Sequence, residues 1–95
     1  MEFIPLELKD AWEIRPRVFS DHRGSFITVY SEEEFRKRGL TKHWIAENQS
    51  HNLFAGTLRG FHFQAPPAAQ TKLVRVASGR AWDVIVDLRL HSPTY

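Results

Sequence analysis

Short apolar runs, broken at close intervals by residues that cannot continue a strand, constrain this chain more than any other feature. The breaks are the turn cluster Ser20-Asp21-His22-Arg23-Gly24, the loop Ala65-Pro66-Pro67-Ala68 and the tight turn Ser78-Gly79. Proline has no N–H to give to a ladder, so the Pro66-Pro67 step must lie outside any strand. The runs between the breaks are rich in aromatic and β-branched residues, which fit a pleated, half-buried surface. They predict strands over Ser25–Tyr30, Trp44–Asn48, Thr57–Gln64, Lys72–Ala77 and Arg80–Leu88, the last two forming a hairpin. Residues 52–56 read as a further loop. Phe3–Leu6 and Glu13–Phe19 read as shorter extended pieces, with Pro16 confining the second to an edge. Short strands at this spacing argue for an all-β antiparallel sandwich or barrel.

One helix interrupts the pattern. Ser31 and Glu34 have the spacing of a capping box, and Gly39 supplies the left-handed residue that ends a helix. At about two turns, this helix reads as structural.

Ninety-five residues allow one domain at most. Seven Phe, three Trp and two Tyr favour a β-rich core. With no Cys, disulfides and thiol catalysis are excluded, and a reducing compartment fits. No apolar run reaches the roughly 18 residues of a membrane helix, and no signal peptide is evident. A cytoplasmic protein without a membrane partner is expected. The net charge of +2 is mild and the basic residues are scattered, so nucleic acid is not an expected partner. Only Arg36, Lys37 and Arg38 cluster, among acids, as on a solvated helix face.

Two residues stand out chemically. His62 lies between Phe61 and Phe63, whose rings face opposite to it in a strand of period two. Spacing leaves two readings: a hydrogen-bonded core histidine, or a general base facing a barrel lumen. Lys72 shares a strand face with Val74 and Val76, where an unpaired ammonium is costly. It either pairs with Asp83 or Asp87 across the hairpin or steadies negative charge developing on a substrate. Arg59 is three positions from His62, so a bulge at Gly60 is needed to turn both inward. Arg23 is placed either for a forked contact to phosphate or as a solvated turn residue. A His-x-His metal pair is not formed, because Gln64 takes the second position and Lys72 lies near it. The expectation is a site without metal or other cofactor. His22, His43, His51 and His91 show no ligand spacing and read as surface residues.

Several separated motifs occur in order: Leu58-Arg59-Gly60-Phe61-His62-Phe63-Gln64, Gln70-Thr71-Lys72-Leu73-Val74-Arg75-Val76, Asp83-Val84-Ile85-Val86-Asp87-Leu88-Arg89 and Ser92-Pro93-Thr94-Tyr95. With the Asp21-His22-Arg23-Gly24 turn and Phe26, they resemble the dTDP-4-dehydrorhamnose 3,5-epimerase family over nearly the whole chain. The resemblance implies a partial cupin-type jelly-roll barrel with one short helix, residues 1–95 being the N-terminal part of a single domain. It implies a metal-independent isomerase of deoxysugar biosynthesis, acting on a dTDP-4-keto-6-deoxy sugar as a homodimer that exchanges N-terminal strands.

By the same resemblance His62 is the base that removes protons at C3 and C5, and Lys72 steadies the enolate. Arg59 and Asn48 contact substrate. Arg23 meets the nucleotide diphosphate, Phe26 lies near the nucleotide, and Asp83 orients the charged pair. Three positions depart from the family pattern: Thr28 stands where Glu is common, Ala46 where Gln is usual, and Gln49 where His is usual. The family's length is roughly twice this chain's, as two-sheet barrels require. The other half should supply the Tyr that reprotonates and the acid that pairs with the base, so these residues alone are expected to be poorly active. The alternatives are a single-carbon 3-epimerase, a ketoisomerase, a non-catalytic half-cupin that dimerises or binds nucleotide sugar, and a metal-dependent cupin oxygenase.

Overall fold

The computed structural model describes residues 1–40 and 43–95. The chain divides into two compact units, residues 1–40 with 80–95, and residues 43–79.

The first unit opens with an antiparallel pair, β1 (Glu2–Pro5) and β2 (Trp12–Arg15), in the register Phe3 opposite Ile14 and Pro5 opposite Trp12. Pro5 ends the ladder, where a missing N–H does least harm. Trp12 and Ile14 are half-buried while Glu13 and Arg15 are exposed, the alternation a one-sided strand requires. The turn between the strands is closed by Leu6 N–H to Ala11 O at 3.0 Å and Ala11 N–H to Leu8 O at 3.1 Å. Asp10 takes a φ of +64° in that turn, a region that aspartate tolerates better than most residues.

Pro16 and Arg17 break the extended piece expected over Glu13–Phe19. The chain resumes as β3 (Val18–Asp21), which pairs with β4 (Gly24–Ile27) rather than with β2. Proline at the break removes the N–H that continuity would need. Phe19 stands opposite Phe26, and His22-Arg23 forms the two-residue turn. Gly24, at φ +138°, lets the chain re-enter the ladder where a side chain would be strained. β4 is shorter than the strand expected over Ser25–Tyr30.

The helix α1 (Glu32–Lys37) forms where its caps predict. The Ser31 hydroxyl accepts from the Glu34 N–H at 3.4 Å. The reciprocal half of the capping box is replaced, because the Glu34 carboxylate accepts from Lys37 Nζ at 3.0 Å. At the other end Gly39 has φ +68°, its N–H reaches Arg36 O, and the Leu40 N–H reaches Phe35 O. These two bonds make a Schellman cap, which uses carbonyls the helix cannot satisfy itself. Phe35, 3% exposed, is the buried centre of the unit. The ring of Phe3 meets it edge-on at 5.2 Å and that of Tyr30 at 4.8 Å. The Arg38 guanidinium covers Phe3 at 5.7 Å.

Residues 43–79 have turns and bends but no helix or strand, and residues 80–95 likewise. The Pro66-Pro67 loop is a turn, closed by Ala68 N–H to Ala65 O at 3.0 Å. The 52–56 loop is tied by the Thr57 hydroxyl to Phe54 O at 2.8 Å. The strands expected over 44–48, 57–64, 72–77 and 80–88 do not form. A strand persists only if a partner takes its N–H and C=O groups and its apolar face is covered; an isolated hairpin is marginal in water. Within these segments Leu58 and Trp82 are each 92% exposed. The observed architecture is therefore two separate two-stranded antiparallel sheets with one short helix, without a closed barrel among the described residues. Among the same residues, no helix is long and apolar enough to cross a membrane.

Candidate functional site

Arg23 and Phe26 belong to the β3–β4 hairpin, which places them together. They line an open concavity of about 460 Å³ with Phe19, Asp21 and Gly24. The period-two register sets Phe19, Asp21, Gly24 and Phe26 on one face. Asp21 grips Arg23 through its guanidinium, with Nη2 to Oδ2 at 2.7 Å and Nε to Oδ2 at 3.1 Å, and accepts the Arg23 backbone N–H at 2.8 Å. This pairing holds the Asp21 carboxyl below its ordinary pKa range, and a carboxylate acceptor raises that of Arg23. The Arg23 side chain is still largely exposed. Asp21 is the partner that sequence reasoning missed; its signal is the i, i+2 spacing across a two-residue turn.

Residues 43–79 hold Asn48, Arg59, His62 and Lys72, all exposed. Arg59 Nε donates to Asn52 Oδ1 at 2.7 Å. No sequence signal marks that pair, because a seven-residue separation across an irregular loop has no periodicity. Among the described residues of this unit, His62 and Lys72 have no ion-pair or side-chain hydrogen-bond partner. The bulge expected at Gly60 is absent, since there is no strand to bulge. Neighbouring apolar residues are open too, with Phe61 and Phe63 both more than 70% exposed.

Asp83 is exposed in the 80–95 segment. Asp87, one of the two carboxylates considered as a partner for Lys72, is instead committed to Arg89. Arg89 Nε meets Oδ1 at 2.8 Å, and Nη2 meets Oδ2 at 2.8 Å. The Arg89 guanidinium, then the Ser92 and Thr94 hydroxyls, hold the Asp87 carboxyl far below the usual carboxylate range. Among the described residues, no three His, Asp or Glu side chains gather as a metal site would require.

The family model described as dTDP-4-dehydrorhamnose 3,5-epimerase matches residues 5–95, and the chain belongs to this family. It is 45% identical over 95 residues to the dTDP-4-dehydrorhamnose 3,5-epimerase of Sinorhizobium fredii, a match over 100% of this chain and 49% of that protein. Its likeness to the protein of the same name from Methanothermobacter thermautotrophicus is 43% over 93 residues, 98% of this chain and 49% of that protein. A protein from Streptomyces niveus named dTDP-4-dehydrorhamnose 3-epimerase is 36% identical over 95 residues, 100% of this chain and 46% of that protein. The chain spans about half the length of these curated relatives. No solved structure matches it.

Proposed function

We propose that these residues contribute the base-carrying part of a sugar-nucleotide 3,5-epimerase, an isomerase acting on a dTDP-4-keto-6-deoxy sugar. The observation that carries the reading is the family match over residues 5–95, which includes every candidate residue. The 4-keto group acidifies the protons at C3 and C5. His62 takes one of them, and the electron pair moves into the carbonyl to give an enolate. The Lys72 ammonium lies against that oxygen, where charge develops, and lowers the barrier. A proton returned to the opposite face inverts the carbon, with no net redox change. A tyrosine and an acid partner for His62, from the part of the domain outside these residues, complete the relay. Arg59 and Asn48 hold the sugar, and Asp83 orients the charged pair. Arg23 releases Asp21 to take the diphosphate, while Phe26 covers the nucleotide. The shared concavity of Arg23 and Phe26 supports that last pairing.

In this reading residues 1–95 are the N-terminal part of a cupin-type jelly roll. The protein works as a homodimer that exchanges N-terminal strands. The exposed apolar faces of β3 and β4, including Val18, Phe19 and Phe26, support such a covering.

The test is solvent exchange by the full-length protein, with a dTDP-4-keto-6-deoxyhexose in D₂O, followed by proton NMR. Deuterium is expected at both C3 and C5. His62→Ala should slow it by about 10²–10⁴-fold, the usual contribution of a positioned general base. Unchanged exchange in that variant would remove His62 from the mechanism. The Streptomyces niveus relative favours one second reading, epimerisation at C3 alone. Deuterium confined to C3 would select it.

A further inference from the structure

We propose that Asp87 is an interlock: its negative charge orients a chain of hydrogen bonds that pins residues 92–94 onto the turn between β1 and β2. The Asp87 side chain is 4% exposed, although nearly all its neighbours in sequence are open. Arg89 grips it with a two-pronged contact, and the Arg89 backbone N–H adds a third bond to Oδ1 at 3.1 Å. The hydroxyls of Ser92 and Thr94 both donate to Oδ2, Thr94 at 2.7 Å.

An ionised carboxylate can only accept. Each hydroxyl has one proton, and both protons are therefore spent on Asp87. The 3.1 Å contact between Ser92 Oγ and Thr94 Oγ1 then has no proton in it; the shared acceptor draws the two oxygens together. With their protons fixed, both oxygens face outward as acceptors. Thr94 Oγ1 takes the Lys9 N–H at 3.1 Å, and Ser92 Oγ takes the Thr94 N–H at 3.3 Å. The other side of the turn is held by the same guanidinium. Arg89 Nη2 donates to Lys9 O at 2.8 Å, and Nη1 donates to Asp10 Oδ2 at 2.8 Å. Lys9 is thus fastened through both its N–H and its C=O, next to Asp10, which keeps a left-handed conformation.

An asparagine at position 87 cannot replace the aspartate despite its equal size. Whichever way its amide is turned, its NH₂ faces an Arg89 donor. Thr94→Val keeps the shape but removes both bonds of the bridge, while Thr94→Ser keeps the hydroxyl.

The experiment is native-state amide exchange on the full-length protein, read residue by residue by NMR. Thr94→Val and Asp87→Asn should each speed exchange of the Lys9 and Ala11 amides about three- to tenfold, the range one net hydrogen bond sets. Thr94→Ser should restore the original rates. The Leu40 amide, bonded to Phe35 O at the end of α1, is the internal reference and should not change. Unchanged Lys9 and Ala11 rates in folded Thr94→Val would overturn the interlock. So would an equal acceleration at Leu40, which would mean general loosening. If Asp87→Asn does not fold, the Thr94 pair decides alone.

Discussion

Residues 1–40 and residues 43–79 are similar in length and comparably rich in aromatic side chains, yet only the first stretch is built into strands and a helix. Its elements close over short distances: two hairpins with adjacent partners, and a helix whose caps lie within its own neighbourhood. The second stretch has strong β-formers too, but among the described residues none of them is paired in a ladder. Strand propensity is mostly a statement about packing against neighbours, so it produces no strand where neighbours are absent. The chemistry is divided the other way. The proposed base, enolate cation and sugar contacts fall in the irregular stretch. The hairpin of the ordered one offers an open concavity of about 460 Å³ beside Arg23 and Phe26.

The largest effect that would sharpen this contrast is Phe35→Ala. Phe35 is the buried residue on which Phe3 and Tyr30 converge, and losing its ring should cost about 3–5 kcal/mol in a urea melt of the full-length protein. Truncating Phe61, which is largely exposed, should cost far less; an equal loss would mean that its ring is packed in the folded protein. The helix caps come next. Gly39→Ala forces a Cβ into a left-handed position and should cost about 1–2 kcal/mol. Ser31→Ala should cost about 0.5 kcal/mol, the low end for a cap, because its bond is a long one at 3.4 Å. A Gly39→Ala protein that melts like the original would show that the helix is held by something other than its caps.

The pH dependence follows from Asp87. Its carboxyl is depressed in the folded protein by Arg89, Ser92 and Thr94, so the folded state binds its proton less readily than the unfolded chain. The stabilisation is fully present above the ordinary aspartate range and fades as pH falls below about 4. The melting temperature should drop through that window, and less steeply in Thr94→Val, which removes one cause of the depression. Identical slopes would separate Thr94 from the Asp87 charge. The smallest effects belong to the exposed ion pairs. Glu13→Gln and Glu33→Gln remove partners of Arg15 and Lys37 that stand in solvent, and neither should measurably change the melting temperature at moderate salt.

What could be read from the sequence follows the same division. The Ser31 and Gly39 caps, the Pro66-Pro67 turn and the Asp21–Gly24 turn are local, and each stands where its residues predict. Pro16 was legible as an obstacle, although not as the point where one sheet ends and another begins. The strands expected over 57–64 and 72–77 rest on residue types, which say what a segment prefers but not whether a partner is within reach. Among the site residues, His62 and Lys72 stood apart through motifs in order along the chain, since periodicity left each with two readings. The pairing of Arg59 with Asn52 leaves no mark in the sequence, nor does the commitment of the Asp87 carboxylate to Arg89. Side-chain pairing depends on backbone paths that a pattern of residue types does not encode.

In the proposed mechanism, chemistry and scaffold fall in different parts of this chain. The most direct test compares His62→Ala with Phe35→Ala in the full-length protein, scoring solvent deuterium exchange into the 4-keto sugar nucleotide beside the thermal melt. His62→Ala should melt like the original protein and lose exchange. Phe35→Ala should melt lower and, below its melt, still exchange. Exchange that survives in His62→Ala, or is abolished in folded Phe35→Ala, would contradict it.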